Sequence, residues 1–398
     1  MSKKKLLIVG GGYADIPLIQ AAKRLGFYVI TSGNRKDDLG HRYANKVNLA
    51  DFSNPEAILK IAKNLKIDAI CACCNDFSAL SSSYVAERLE LPGHDSFNIS
   101  KIIHHKDLYR NFAIANKIRT PLAFGFSSIN DALDNIIKLN LPIIIKPVDL
   151  TGGKGITVIN KLNQVKKAIE FAFECSKTKR IVIEEFINGS CHGFSAFLYK
   201  GKVIFHFSDN EHYFINRYLV SAASTPSIIP ACVEKKLIAD SEKIASLLNL
   251  KDGIFHIQFI LRKQEPIIIE ICRRAPGDLY VKLVEYATGV DYSSYIVKAS
   301  SGLDCGDLKQ SKTKGFYTRH CIMSSKNGVL ESIVYDDSIK KNIIDQFLWW
   351  KQGGIISNSL TAKFGIVFLK FDNKDEMLDK TSKMQELIKV KCKKDYYK

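Results

Sequence analysis

Lys146 stands at the end of an apolar run, Ile143-Ile144-Ile145, and Thr151-Gly152-Gly153-Lys154-Gly155-Ile156 follows within a few residues. An ammonium group carried to the end of an apolar strand is costly unless it meets an anion. A triphosphate is such an anion. Glycines at 152, 153 and 155 remove side chains where backbone amides must approach phosphate oxygens, and they let a loop close over a nucleotide and shed water. Each feature has a plainer reading alone: Lys146 as a lysine whose stem lies along apolar surface with its head in water, the glycines as a hairpin turn. Their adjacency is what points to phosphate. The loop is not of the Gly-x-x-x-x-Gly-Lys-Ser/Thr type, because no Gly-Lys-Ser/Thr follows at that spacing. Further on, Glu270 lies in the alternating segment 267–272, where strand geometry turns its carboxylate to one face while its neighbours pack. Magnesium takes hard oxygen ligands, usually a carboxylate or two with phosphates and waters, and Glu270 suits that role.

Taken in order, Lys146, the glycine loop, Glu184-Glu185 and Glu270-Ile-Cys-Arg-Arg274 resemble the ATP-grasp family of carboxylate-amine ligases, over roughly Leu6 to Tyr292. The resemblance implies ATP as the nucleotide. It makes Lys106 and Lys146 the two phosphate-binding lysines, under a cover formed by Gly152, Gly153, Lys154 and Gly155. It makes Ile183–Ile187 a hinge between two lobes, with backbone groups at Glu185 and Ile187 meeting the adenine edge and Glu184 helping to order it. Adjacent acids at a strand end otherwise face solvent. One or two magnesium ions, replaceable by manganese, would sit on Glu270. Arg274, with Lys146 the implied catalytic pair, would orient a substrate carboxylate or the transferred phosphoryl group, a task suited to its rigid fork of donors; a structural ion pair is its plainer reading.

Two departures from the family pattern concern the metal. An acid on the preceding strand and an Asn two residues past the glutamate are replaced by Gln258 and Cys272. An amide oxygen at Gln258 can still touch magnesium, whereas a thiol is a soft ligand. Where the family often has Glu before a Phe/Tyr-Ser pair, His192 and Gly193 precede Phe194-Ser195. Asp278, after Ala275-Pro276-Gly277, either holds the amine of an acceptor or caps the helix that follows. His212, in the polar stretch 208–213, is a further substrate-side candidate. A satisfied loop histidine is the alternative, since no Cys/His pair has structural zinc spacing.

These residues need a frame. The start alternates strand and helix: 5–9, 15–25, 29–32, 55–65 and 69–73, with Asn75-Asp76 capping a helix through 81–89, which predicts a doubly wound α/β unit over 1–100. Gly10-Gly11-Gly12 is only part of a dinucleotide fingerprint, because Asp15 stands where G-x-G-x-x-G needs its third glycine. A tight strand-to-helix turn is predicted, at which a substrate group could lie. An α+β lobe is expected over 101–190, with a helix near 130–139. A larger antiparallel lobe over 191–303 would carry the metal site. A C-terminal α+β region over 304–398 would include a strand at 365–371 and a closing helix near 375–390.

Composition bounds the partners. The net charge of +17 favours anionic small molecules by steering, but lysines spread evenly through the chain make no nucleic-acid footprint. No run of about 18 apolar residues marks a membrane span. The apolar stretch after Lys3–Lys5 ends at Gly10, too short for a signal core, so a cytoplasmic protein with its ten cysteines reduced is expected. The expected reaction is activation of a carboxylate by ATP as an acyl phosphate, attack by an amine, and release of ADP and phosphate, with a homodimer possible by analogy. Three alternatives stand beside it. One is a bicarbonate or carbamoyl-phosphate type reaction. Another is a nicotinamide oxidoreductase, against which Asp15 and the ATP set argue. The third is a nucleotide-binding protein without turnover, to which Gln258 and Cys272 would belong.

Overall fold

The computed structural model describes residues 3–136, 139–150 and 152–393. In the N-terminal unit, strands β1 (Lys5–Val9), β2 (Tyr28–Ser32), β3 (Lys46–Val47) and β4 (Ala69–Ala72) form a parallel sheet in the order β3-β2-β1-β4. Successive strand residues point to opposite faces. Leu6 and Ile8, with Val29 and Cys71, pack with Leu18 and Ile19 of α1 (Ile16–Arg24), while Leu7 and Val9, with Ile30 and Ile70, pack against α2 (Pro55–Leu65) and α3 (Asp76–Leu89). Helices on both faces make this the doubly wound sheet that the alternation predicts. Its caps are local: the Asn54 side chain accepts from the Ala57 amide ahead of Pro55, and the Asn75 side chain accepts from the Phe77 amide.

Helices α4 (Phe97–His104) and α5 (Lys106–Ala115) lead to the small lobe, in which β5 (Ala123–Phe126), β6 (Ile143–Pro147), β7 (Thr157–Ile159) and β8 (Ile181–Glu185) form an antiparallel sheet ordered β5-β8-β6-β7. Helices α6 (Ile129–Asn135) and α7 (Val165–Cys175) cover it, burying Ile143, Ile145, Ile169 and Ile183. The helix expected near 130–139 thus occupies 129–135, and positions 137–138 lie outside the described residues. So does Thr151.

Strands β9 (Ser190–Tyr199), β10 (Lys202–His212), β11 (Ala222–Thr225), β12 (Gly253–Arg262) and β13 (Glu265–Cys272) build the large lobe. Helix α8 (Ala231–Leu248) covers one face, meeting Phe194, Phe255 and Ile257; α9 (Tyr280–Thr288) and α10 (Tyr292–Ser300) cover the other, against Phe197 and Phe205, and also reach the N-terminal sheet. Past residue 304 the chain extends this same sheet. With β14 (Phe316–Met323), β16 (Ile343–Leu348) and β18 (Lys363–Phe371) its order is β13-β12-β9-β10-β11-β14-β18-β16. A smaller sheet joins β17 (Ile355–Ile356), β15 (Gly328–Tyr335) and β19 (Ile388–Lys393).

The expected closing helix at 375–390 is corrected here. Helices Lys374–Ser382 and Met384–Leu387 are followed by β19, in which Ile388 pairs with Tyr335 and Val390 with Ile333. The alternation Ile-Lys-Val-Lys-Cys has the two-residue period of a strand, and β15 supplies its partner. All ten cysteines are unpaired. Among the described residues no helix is long and apolar enough to cross a membrane.

Candidate active site

A cleft of about 600 Å³ opens where three parts meet: the Gly10–Asp15 turn, the glycine loop between β6 and β7, and the face of the large-lobe sheet carrying Asp209, Glu211, Gln258 and Glu270. Lys106, Gly152, Gly153, Gln258, Glu270, Arg274 and Asp278 line it together, with Gly10, Gly11, Gly12, Asp15 and Cys272. Lys154 lines the adjoining opening. Lys146, Gly155, Glu184, Glu185, Ile187 and His212 lie outside both linings.

Lys146 is buried, and its Nζ is 2.7 Å from Glu184 Oε2. Arg110, reaching in from α5, puts its Nε 2.9 Å from Glu184 Oε1. Burial alone would raise the Glu184 carboxyl, but the charges of Arg110, Lys146 and Lys106 outweigh it and hold it below the usual carboxylate range. Burial lowers Lys146, with Glu184 opposing. Lys106, the first residue of α5, donates to Leu150 O at 2.9 Å and lies 3.5 Å from Glu270 Oε1, which ties the loop to the expected metal carboxylate.

The glycine loop joins two antiparallel strands, as the hairpin reading expects. Gly153 has φ +77°, and a Cβ there would come within 2.7 Å of Tyr218 Cβ. Only glycine fits without displacing the wall of the cleft. Glu185 is engaged locally: its backbone amide donates to Leu122 O, and its Oε1 accepts from the Leu122 amide at 3.0 Å. Ile187 is buried.

Arg274 is held in an ion pair. Its Nε and Nη2 donate to the two oxygens of Asp76, each at 3.0 Å, and His104 Nδ1 is 2.8 Å from the same carboxylate. Asp278 does not cap the next helix, whose N-cap, Leu279, has no side-chain cap bond. Instead it accepts from Tyr13 Oη at 2.6 Å and from Lys363 Nζ at 2.6 and 2.7 Å, with Arg319 3.4 Å away. Burial would raise its pKa, yet Lys363 and Arg319 hold it far below the usual range. His212 shares a hydrogen bond with Ser224 Oγ at 3.0 Å, and burial pushes its ring down to about 4. At the turn, buried Asp15 accepts from the amides of Gly12 and Cys74, so it is a tie between two loops.

Sequence reasoning missed Asp209 and Glu211. They sit two apart on β10 and so share a face, a signal present in Ser-Asp-Asn-Glu-His. Glu211 accepts from Gln258 Nε2 at 2.7 Å and from Tyr213 Oη at 2.6 Å; Asp209 Oδ1 accepts from Tyr280 Oη at 2.6 Å. Burial, then the charge of Glu211, pushes Asp209 up to about 7, and burial raises Glu211 as well. Also missed were Arg319 and Lys363 beyond residue 304, and Trp349, which stacks on Tyr13 with ring centroids 4.1 Å apart.

Glu270, Glu211 and the Gln258 amide oxygen are hard donors of the kind magnesium prefers. Cys272 is buried, its thiol pushed up to about 12 and directed to Arg274 O, so it offers nothing to such an ion. Among the described residues no three acids, histidines or cysteines converge as a ready-made cage. A cation here would need phosphate oxygens to complete its shell.

Comparison with known families decides the class. Residues 139–282 match the ATP-grasp domain family. This chain carries an ATP-grasp domain. It is 24% identical over 327 residues to the carbamoyl phosphate synthase large chain of Caldanaerobacter subterraneus subsp. tengcongensis, covering 76% of this chain and 30% of that one. It is 27% identical over 207 residues to the formate-dependent phosphoribosylglycinamide formyltransferase of Francisella tularensis subsp. holarctica, covering 47% and 49%. The chain therefore aligns with less than half the length of these curated relatives. Among solved structures, an L-amino acid ligase from Bacillus licheniformis superposes with TM-score 0.81 at 17% identity, covering 99% of this chain and all of that one. A phosphoribosylglycinamide synthetase from Anaerococcus prevotii gives 0.76 at 22% identity, covering 98% and 100%. At such identities the likeness is one of fold, and it spans nearly the whole chain.

Proposed function

We propose that this protein is an ATP-dependent, ADP-forming ligase that activates a small carboxylate as an acyl phosphate and joins it to an amine. The observation that carries the reading is the convergence of Lys106, the glycine loop and Glu270 on one cleft, with Lys146 buried behind it. Lys106 and Lys146 would draw and orient the triphosphate, and the loop would close over it to keep water from the acyl phosphate. A magnesium ion on Glu270 would neutralise charge on the transferred phosphoryl group. No residue need form a covalent intermediate: positioning and electrostatics suffice. The pocket's far side, with Tyr13, Arg319, Lys363 and Asp278, suits the carboxylate and amine partners, since it offers both signs of charge within one wall. A second reading, nucleotide binding without turnover, draws on Gln258 and Cys272.

The test is mass spectrometry of protein incubated with magnesium, ATP and pooled amino acids, small carboxylates and amines, beside Lys146→Ala. A condensed product formed with ADP and absent from the variant supports the ligase. Tight ATP binding with no product from any mixture favours the second reading, and a product that requires bicarbonate moves the reaction to the carbamoyl-phosphate type.

A further inference from the structure

Where the family resemblance implies a second metal carboxylate this chain has Gln258, and acids of neighbouring strands lie around it. In the sheet, Gln258 on β12 faces Glu270 on one side and Gly193 of β9 on the other, and Gly193 in turn faces Asp209 of β10. Gly193 leaves a gap in this row. A Cβ there would lie 2.4 Å from Asp209 Oδ1, so the Asp209 carboxylate occupies the space of the missing side chain. Two residues along, Glu211 reaches across to accept from Gln258 Nε2 at 2.7 Å. Both acids line the cleft with Glu270. Asp209 is fully buried, and its Oδ2 has no hydrogen-bond partner. A buried carboxylate oxygen left unpaired is costly, and it suits a donor that arrives with a ligand.

We propose that Glu211 is the second protein ligand of the divalent cation that accompanies the nucleotide, with Asp209 Oδ2 accepting from a water of that cation's shell. The carboxylate that the resemblance implies on β12 is thereby supplied from β10. The inference rests on the nucleotide reading above. Its geometry accords with magnesium chemistry, in which one or two carboxylates, substrate phosphates and retained waters share six positions. Gln258, by donating to Glu211 through its nitrogen, fixes the carboxylate and turns its own Oε1 away from that bond.

The test uses Mn2+ as the probe and a non-hydrolysable ATP analogue, with free Mn2+ followed by electron paramagnetic resonance on the whole protein. Glu211→Gln should weaken Mn2+ binding to the analogue complex by about tenfold or more, and Asp209→Asn by less, while metal-free affinity for the analogue does not fall in either. Exchanging the pair, Glu211→Gln with Gln258→Glu, keeps the cross-strand hydrogen bond and should restore binding. Unchanged Mn2+ affinity in Glu211→Gln would overturn the inference and leave the nucleotide reading standing. A loss that the exchange fails to restore would assign the effect to packing and overturn it also. If the unaltered protein takes up no analogue, both readings fall together.

Discussion

Glu184 and Lys146 are partners with unequal consequences. Glu184 is fully buried between two cations, so Glu184→Gln leaves Arg110 and Lys146 without their anion. Removing one member of a buried charge set costs about 3–5 kcal/mol, a loss that denaturant unfolding would register. Lys146→Ala is the gentler change for the fold, because Arg110 still pairs with Glu184. Its cost falls on function: ATP-dependent turnover should drop about 10²-fold or more, the size expected when a preorganised charge at the reacting group is lost. Steady-state kinetics beside unfolding curves would separate the two effects. Should both variants lose stability equally with turnover per folded molecule intact, Lys146 would be structural only.

Elements explain what the sequence conveyed and what it withheld. Strands β1, β6 and β13 and helix α2 were legible because their periodicity and caps are local, within a few residues of Pro55 or Ile143-Ile144-Ile145. Lys106, Gly152, Gly153 and Glu270 were legible as one candidate site because their order along the chain resembles a known family, and they line one cleft. Arg274's partner was not: Asp76 lies 198 residues away, and only the approach of the first residue of α3 to the segment just past β13 makes the pair. Glu211 was hidden similarly, since its meeting with Gln258 depends on register across β9. The short strand β11, Ala-Ala-Ser-Thr, carries little strand signal of its own. At this scale Asp76→Asn should weaken the docking of the N-terminal unit on the large lobe, leaving Arg274 and His104 without their shared anion. A stability loss of about 3 kcal/mol, with protease cutting newly exposed between residues 89 and 97, is the expected outcome. Gly153→Val tests the loop: the left-handed backbone costs about 1–3 kcal/mol for a β-branched residue, and Tyr218 must move. The apparent KM for ATP should rise severalfold with little change in the far-UV circular dichroism spectrum.

Across the whole molecule, buried neutral histidines set the acid limit. Burial pushes His320 down to about 3, and His94 is lowered for the same reason. In the unfolded chain these rings titrate near pH 6.5. The unfolded state therefore binds more protons as pH falls below that value, and the folded state does so only near the lowered pKa. Stability should be insensitive to these groups above pH 7 and decline as pH falls from about 6.5, for His320 down to about 3, by up to ~1.4 kcal/mol per pH unit for each histidine. Denaturant unfolding of His320→Leu should show a shallower decline over that window. A slope equal to that of the unaltered protein would exclude His320 as a contributor. The surplus of positive charge acts at this scale too. Arg35, Arg42, Lys154, Lys351 and Lys363 surround the opening beside the cleft, and ATP capture through it should weaken with added salt.

Acyl-phosphate formation in this cleft is tested most directly by oxygen transfer. The carboxylate found in the product screen, labelled with 18O in both oxygens, would be turned over with magnesium-ATP, and the released phosphate analysed by mass spectrometry. One labelled oxygen in each phosphate is the result expected if the carboxylate attacks the γ-phosphorus and an amine then displaces the phosphate. Unlabelled phosphate, released at the same rate as product, would contradict it.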